Sequence, residues 1–119
     1  MAKHRQQKVA HELLRTLSTA LMEDVKDPRV ALVSLTDVSV SADLSVASVR
    51  WLCPKDEDKK EIMAGLVKAT PFLRSLIADR LALRRVPMIN FYYDDAYENG
   101  QKISDLLAQL RASGQMGEE

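Results

Sequence analysis

The chain has 119 residues, the size of one domain. Hydrophobic residues make up 46% of it, which supports a packed core and argues against disorder throughout. Seventeen basic and seventeen acidic side chains give zero net charge, which excludes a histone-style polybasic binder but not a local basic patch. A single cysteine, Cys53, allows no intrachain disulfide and fits a reducing compartment. The apolar runs are too short for a membrane-spanning helix, and the polar start Met1–Lys8 is unlike a signal peptide. The expectation is a soluble, cytoplasmic chain.

Residues from about Gln6 to Val25 predict a helix, since Val9, Leu13, Leu17, Leu21 and Val25 recur every four positions. Asp27-Pro28 ends it, because a residue before proline avoids the helical region. From Val30 to Cys53 the period becomes two. Val33 and Leu35 share one parity and Val38 and Val40 the other, so a bulge is expected near Thr36-Asp37. A turn at Ser41-Ala42-Asp43 leads to a second strand, with Ala47, Val49 and Trp51 on one face.

Pro54 closes that strand, and Asp58 stands where a helix cap belongs. The next helix runs through Ile62, Leu66 and Val67 to Ala69-Thr70-Pro71. A proline there removes one backbone bond and clashes with the preceding turn, at about 3 kcal/mol, so a kink between two helices is expected. The second helix continues through Leu73, Leu76, Ile77 and Leu81 to about Arg85, ahead of Pro87. Met88 to Asp94 reads as a third strand, with Ile89, Phe91 and Tyr93 on one face and Asn90 and Tyr92 on the other. Asn99-Gly100 suggests a turn, Ile103 to Leu110 a last short helix, and residues 113–119 a flexible tail. The whole is an α+β domain over residues 1–112, with helices covering one face of a small sheet.

Zero net charge hides a gradient. Residues 66–93 hold Lys68, Arg74, Arg80, Arg84 and Arg85 against Asp79 alone. At helical spacing Arg80 and Arg84 share a face. Guanidinium groups match phosphate oxygens with paired donors. Solvated helix faces and contact with an anionic partner both stand as readings, and the scarcity of nearby acids favours the second.

Catalysis finds little support. Gly65, Gly100, Gly114 and Gly117 form no phosphate-cradling loop. His4 and His11 lie two helical turns apart, without a second cysteine, so no metal site is expected. Cys53 has no evident basic partner. Asp94-Asp95 is the one carboxylate pair that suggests acid–base or metal-dependent hydrolysis, and turn chemistry is the competing role. Strand aromatics are ordinarily core, and the alternation leaves only Tyr92 opposite the core face. No catalytic residue and no cofactor is assigned.

Three stretches resemble the ribosome-binding factor A family over roughly residues 3–110. They are Arg5-Gln6-Gln7-Lys8-Val9-Ala10 with the exit Val25-Lys26-Asp27-Pro28-Arg29, the connection Leu52–Asp58, and Phe72–Ile77 followed by Leu83–Asp94. In the last, an arginine and then Pro-x-Ile-x-Phe-x-x-Asp is the most specific pattern. The resemblance implies a type II KH-like fold, whose element order matches the one above. It implies a non-enzymatic factor that binds the free 30S subunit and 16S rRNA during late maturation, a role linked to growth in the cold. A monomer that meets other small-subunit assembly factors, such as a GTPase, and no membrane is the matching expectation.

KH domains clamp nucleic acid with a Gly-x-x-Gly loop. The family has an Ala-x-Gly kink instead, and this chain has Ala69-Thr70-Pro71. The absent glycine weakens close backbone approach to a phosphate. The RNA-binding set expected here is Lys3, Arg5, Lys8, Arg29, Lys68, Arg74, Arg80, Arg84 and Arg85. The alternative is a KH-like protein-interaction module without RNA affinity, favoured by the missing glycine and the acidic C-terminal segment.

Overall fold

The structure, a computed structural model, describes the backbone of residues 2–112 and the side chains of residues 4–100 and 103–111. Lys3's side chain and the expected tail at 113–119 lie outside the described residues. Helix α1 (Ala2–Glu23) is followed by a 3₁₀ turn (Val30–Leu32), β1 (Ser34–Val40), β2 (Val46–Leu52), α2 (Lys59–Arg80), β3 (Met88–Tyr93) and α3 (Asp95–Ala112). The three strands form one sheet in the order β1-β2-β3, with β1 antiparallel and β3 parallel to β2.

Alternation decides which face of the sheet is buried. Val38, Val40, Ala47, Val49, Trp51, Ile89 and Phe91 all point to one side and are buried there. Helix α1 contributes Leu13, Leu17 and Leu21 to the same core, and α2 contributes Leu66, Leu73 and Ile77. Each fully buried leucine or isoleucine contributes about 1.5–3 kcal/mol relative to an exposed one. The opposite face keeps Asp37, Ser39, Arg50 and Tyr92 in solvent.

The expected bulge lies between Leu35 and Asp37, where Thr36 is the extra residue of β1. Its Oγ1 donates to Asp94 Oδ2 at 2.6 Å. Asp94 Oδ1 in turn accepts from the backbone N–H of Tyr97 at 2.9 Å, which caps α3. The carboxyl is held below its ordinary range by the Thr36 bond first and the Tyr97 bond second. The carboxylate pair considered for catalysis is thus explained by turn chemistry at Asp94. In Pro87-x-Ile89-x-Phe91-x-x-Asp94, the proline, isoleucine and phenylalanine are buried and the aspartate is a cap, so the most specific motif of the chain builds structure.

The exit from α1 is also built by side chains. Arg29 donates from its backbone N–H to Asp27 Oδ1 at 3.0 Å and from Nη2 to Asp27 Oδ2 at 2.8 Å. Its Nη1 reaches Glu61 Oε2 at 3.4 Å. Helix α2 passes close over this turn at Gly65, where an added Cβ would meet Val30 Cγ1 at 3.2 Å and Asp27 Oδ2 at 3.3 Å.

Two expectations are corrected. The kink at Ala69-Thr70-Pro71 does not divide the chain into two helices, because α2 runs unbroken from Lys59 to Arg80 with Pro71 inside it. Burial of Leu66, Ala69, Leu73 and Ile77 on both sides of the proline outweighs the lost backbone bond. Asn99-Gly100 is not a turn, and α3 is not short: it spans 18 residues and includes both. Its start is fixed upstream by the Asp94 cap, with Asp95 and Glu98 in the first turn, and one helical glycine costs only about 1 kcal/mol.

Replacing Pro71, which is exposed, with alanine removes the ring clash and returns a donor to the Val67 carbonyl. Pro71→Ala should therefore stabilise the protein, by up to about 3 kcal/mol, read as a rise in calorimetric Tm. Asp27's carboxyl is held down to about 2, chiefly by its side-chain bonds to Arg29. A folded-state pKa below the unfolded value of 3.8 stabilises the fold above that pH. The stability gap between the natural protein and Asp27→Asn should hold above pH 4 and close as pH falls from about 4 to about 2, followed by denaturant titration at each pH.

Candidate nucleic-acid interface

Helix α2 stops at Arg80. Leu81 takes an extended conformation (φ −113°, ψ 139°) while its N–H still donates to the Ile77 carbonyl. The link to β3 is pinned from the helix side by Arg74, whose Nε donates to the Pro87 carbonyl at 3.1 Å and Nη2 to that of Val86 at 3.0 Å. Leu81, Leu83 and Val86 pack against the core, whereas Arg84 and Arg85 are exposed. The expected sharing of a helix face by Arg80 and Arg84 is therefore corrected, since the helix ends at Arg80, before Arg84 is reached.

The link runs beside the start of α1 and the β1–β2 turn. Together they line a concavity of ≈ 980 Å³ with Arg5, Arg84 and Arg85 among its walls, and Val9, Leu44, Leu83 and Pro87 as its apolar floor. Among the described residues no ion pair engages these three arginines or Lys8. A second concavity of ≈ 460 Å³ continues along α1, lined by Glu12, Arg15, Thr16, Thr19, Arg80 and Leu81. Arg5, Lys8, Glu12 and Arg15 recur every three or four residues, so one helix face serves both.

The β1–β2 turn at the rim is rigidly built. Ser41 Oγ accepts from the N–H groups of Ser45 and Val46 at 3.1 and 3.0 Å. Asp43 Oδ1 accepts from Ser41 Oγ, Ser45 Oγ and Ser45 N–H, at 2.8, 2.7 and 3.1 Å. These bonds, with those to Ser45 the largest cause, pull the Asp43 carboxyl down to about 2. Leu44 sits at φ 62°, a left-handed conformation unfavourable to a leucine by about 1–2 kcal/mol.

The structure divides the nine cations expected to bind RNA. Arg5, Arg84 and Arg85 come together at the concavity, and exposed Lys8 lies one helical turn after Arg5 on α1. Arg80 stands nearby but pairs with Asp24 at 3.1 Å. Arg74 lies beneath the link and holds it. Arg29 is engaged by Asp27 and Glu61, and exposed Lys68 adds to the field on Asp27, so both belong to the exit of α1. The spacing reading missed Arg15, whose signal was its position seven residues after Lys8 on the same helix face.

The remaining candidates lie away from this concavity. Thr70 and Pro71 border a separate apolar groove with Val67, Asn90 and Tyr92, and Thr70 Oγ1 is bonded to the Leu66 carbonyl at 2.9 Å. Burial pushes the Cys53 thiol up, away from a reactive thiolate. Among the described residues, no group of three or more His, Cys, Asp or Glu side chains forms a metal cluster, and no helix is long and apolar enough to cross a membrane.

Comparison with known proteins gives this surface a family setting. The family model described as ribosome-binding factor A matches residues 5–107. A ribosome-binding factor A from Halothermothrix orenii is 39% identical over 112 residues, covering 93% of this chain and 92% of its own length. One from Brevibacillus brevis is 38% identical over 120 residues, covering 100% of this chain and 99% of its own. The crystal structure of ribosome-binding factor A from Thermus thermophilus aligns with a TM-score of 0.66 at 26% identity, over 74% of this chain and 94% of that one. A homology model of the Thermus thermophilus factor, fitted into a cryo-EM map of its complex with 30S, aligns with a TM-score of 0.55 at 30% identity, over 71% of this chain and 93% of that one. The α+β architecture is thus the KH-like one of these structures. Agreement in sequence along nearly the full length, together with agreement in fold, makes this chain a member of the ribosome-binding factor A family.

Proposed function

We propose that this chain binds the free 30S subunit through 16S rRNA, assists late maturation of that RNA in the cytoplasm, and does so by binding rather than by catalysis. One observation carries the RNA contact: Arg5, Arg84 and Arg85, from two distant parts of the sequence, converge on one concavity, and among the described residues no ion pair engages them. The fit of the Thermus thermophilus relative into a 30S complex supports the choice of particle. In this reading Arg84, Arg85, Arg5 and Lys8 take phosphate oxygens, with Lys3 and Arg15 beside them on α1. Arg74 acts as a positioning residue by fixing the link that presents Arg84 and Arg85.

Arg29, Lys68 and Arg80 contribute to the field rather than to direct contact. The chain acts as a monomer whose RNA-binding domain spans 1–112, and other assembly factors such as a GTPase meet it on the particle. A protein-interaction role without RNA affinity is the second reading, supported by the unbroken α2 at Ala69-Thr70-Pro71, which offers no loop for close approach to a phosphate.

Sucrose-gradient fractionation of a lysate should find the protein with free 30S subunits and not with translating ribosomes. The double variant Arg84→Glu/Arg85→Glu should leave that fraction while keeping the natural Tm. In filter binding to 16S rRNA, losing two phosphate contacts should flatten the slope of log K against log salt by about 2. Unchanged comigration and an unchanged slope would remove the concavity from the contact. A natural protein that captures proteins but no RNA would favour the second reading.

A further inference from the structure

One carboxylate stands among the arginines of the concavity. Asp43 is exposed at its rim, on the β1–β2 turn. A surface serving only to attract phosphate gains nothing from a fixed negative charge there. Asp43 nevertheless cannot swing away, since Oδ1 is held by Ser41 Oγ, Ser45 Oγ and the Ser45 N–H. Oδ2 accepts no bond from another residue among the described ones, and no ion pair joins Asp43 to the three arginines. The turn therefore fixes one ionised carboxylate whose second oxygen accepts no bond from another described residue, beside groups suited to phosphates.

An acceptor so placed needs a donor on the ligand. Phosphates carry none. Along an RNA backbone the donor that recurs at every nucleotide, next to every phosphate, is the ribose 2′-hydroxyl. No aromatic ring lines the concavity, so stacked single-stranded bases find no platform there, while an A-form duplex offers 2′-hydroxyls across its shallow minor groove. We propose that Asp43 Oδ2 accepts a hydrogen bond from a ribose 2′-hydroxyl while Arg5, Arg84 and Arg85 hold neighbouring phosphates, making Asp43 the residue that selects RNA over DNA. This rests on the RNA-binding reading of the same concavity and adds the chemical feature by which the backbone is recognised.

The test is fluorescence anisotropy at fixed salt. The full chain is titrated with a short mixed-sequence RNA duplex, its 2′-fluoro analogue, which stays A-form but cannot donate, and the DNA duplex of the same sequence. The natural protein should prefer RNA over both by roughly tenfold, the size of a hydrogen bond to a charged group. Asp43→Asn keeps one acceptor oxygen for the turn and replaces the other by an amide donor, so the preference should fall to about one; the neutral amide also weakens the turn bonds, so binding is compared at a temperature well below the lowered Tm. Equal binding of all three duplexes by the natural protein overturns the assignment and leaves phosphate contact standing. A preference that survives Asp43→Asn, or that follows base sequence, also overturns it. Absence of binding to any duplex overturns this assignment and the RNA contact together.

Discussion

The guanidinium of Arg74 holds the most consequential contact in the molecule. Its two bonds to the carbonyls of Val86 and Pro87 join the second half of α2 to the last residues before β3. Pro87 cannot continue a helix and restricts the residue before it, and after Leu81 the chain turns, with the Leu83 N–H on the Leu81 carbonyl, and bends at Arg84-Arg85. A non-helical link leaves carbonyls without helical partners, and a half-buried carbonyl without a partner is costly. An arginine meets this need well, because its planar fork reaches two successive acceptors at once. The consequence is directional. With Val86 and Pro87 tied inward and Leu81 and Leu83 packed on the core, Arg84 and Arg85 are left facing outward, beside Arg5. The same cation that a charge count would assign to a ligand thus serves to aim two others.

Legibility in the sequence follows from how local the governing physics is. The two-residue period of Val38, Val40, Ala47, Val49 and Trp51 reports burial directly, so the core face and even the bulge at Thr36 could be read from parity. Asp58 as a cap depends on residues two and three positions later, and its bonds to the N–H groups of Lys60 and Glu61 are present. Pro71 misled because its local penalty is real but smaller than the burial on either side of it, a tertiary quantity. Gly100 misled similarly, since α3 is started by Asp94 and tied down by Glu98, which bonds Tyr93 and Lys59. The arginines were countable but not assignable. Nothing at spacing level says that Arg80 meets Asp24, or that Arg29 meets Glu61, residues 56 and 32 positions away.

Those pairings also explain how a chain with no net charge holds a basic surface. Asp24, Asp27 and Glu61 are used against Arg80 and Arg29, around the exit of α1 and along α2. Exposed pairs of this kind contribute about 0–1 kcal/mol each, so their main effect is on the distribution of charge rather than on stability. Neutralising cations near the exit of α1 leaves the potential concentrated where Arg5, Arg84 and Arg85 meet. A Debye length of about 8 Å at physiological salt then makes this local cluster, not the sum over the chain, the quantity that a nearby phosphate experiences.

A further group of acidic side chains stands away from the arginines, at the start of α3. Strand β3 begins at Met88, whose N–H donates to the Ser45 carbonyl beside the arginine-lined concavity, and it ends at Tyr93, where α3 begins. Asp94, Asp95 and Glu98 therefore sit at the far end of the sheet, one strand length from the arginines. Six strand residues at about 3.3 Å each separate the two ends by roughly 20 Å, more than two Debye lengths. A body that is neutral overall but divided in this way is drawn only weakly to a polyanion at long range. Once within screening distance, however, it feels a torque that turns the concavity inward and α3 outward. For the proposed RNA contact, zero net charge then limits non-specific adhesion to nucleic acid while the internal gradient still selects the face that arrives first.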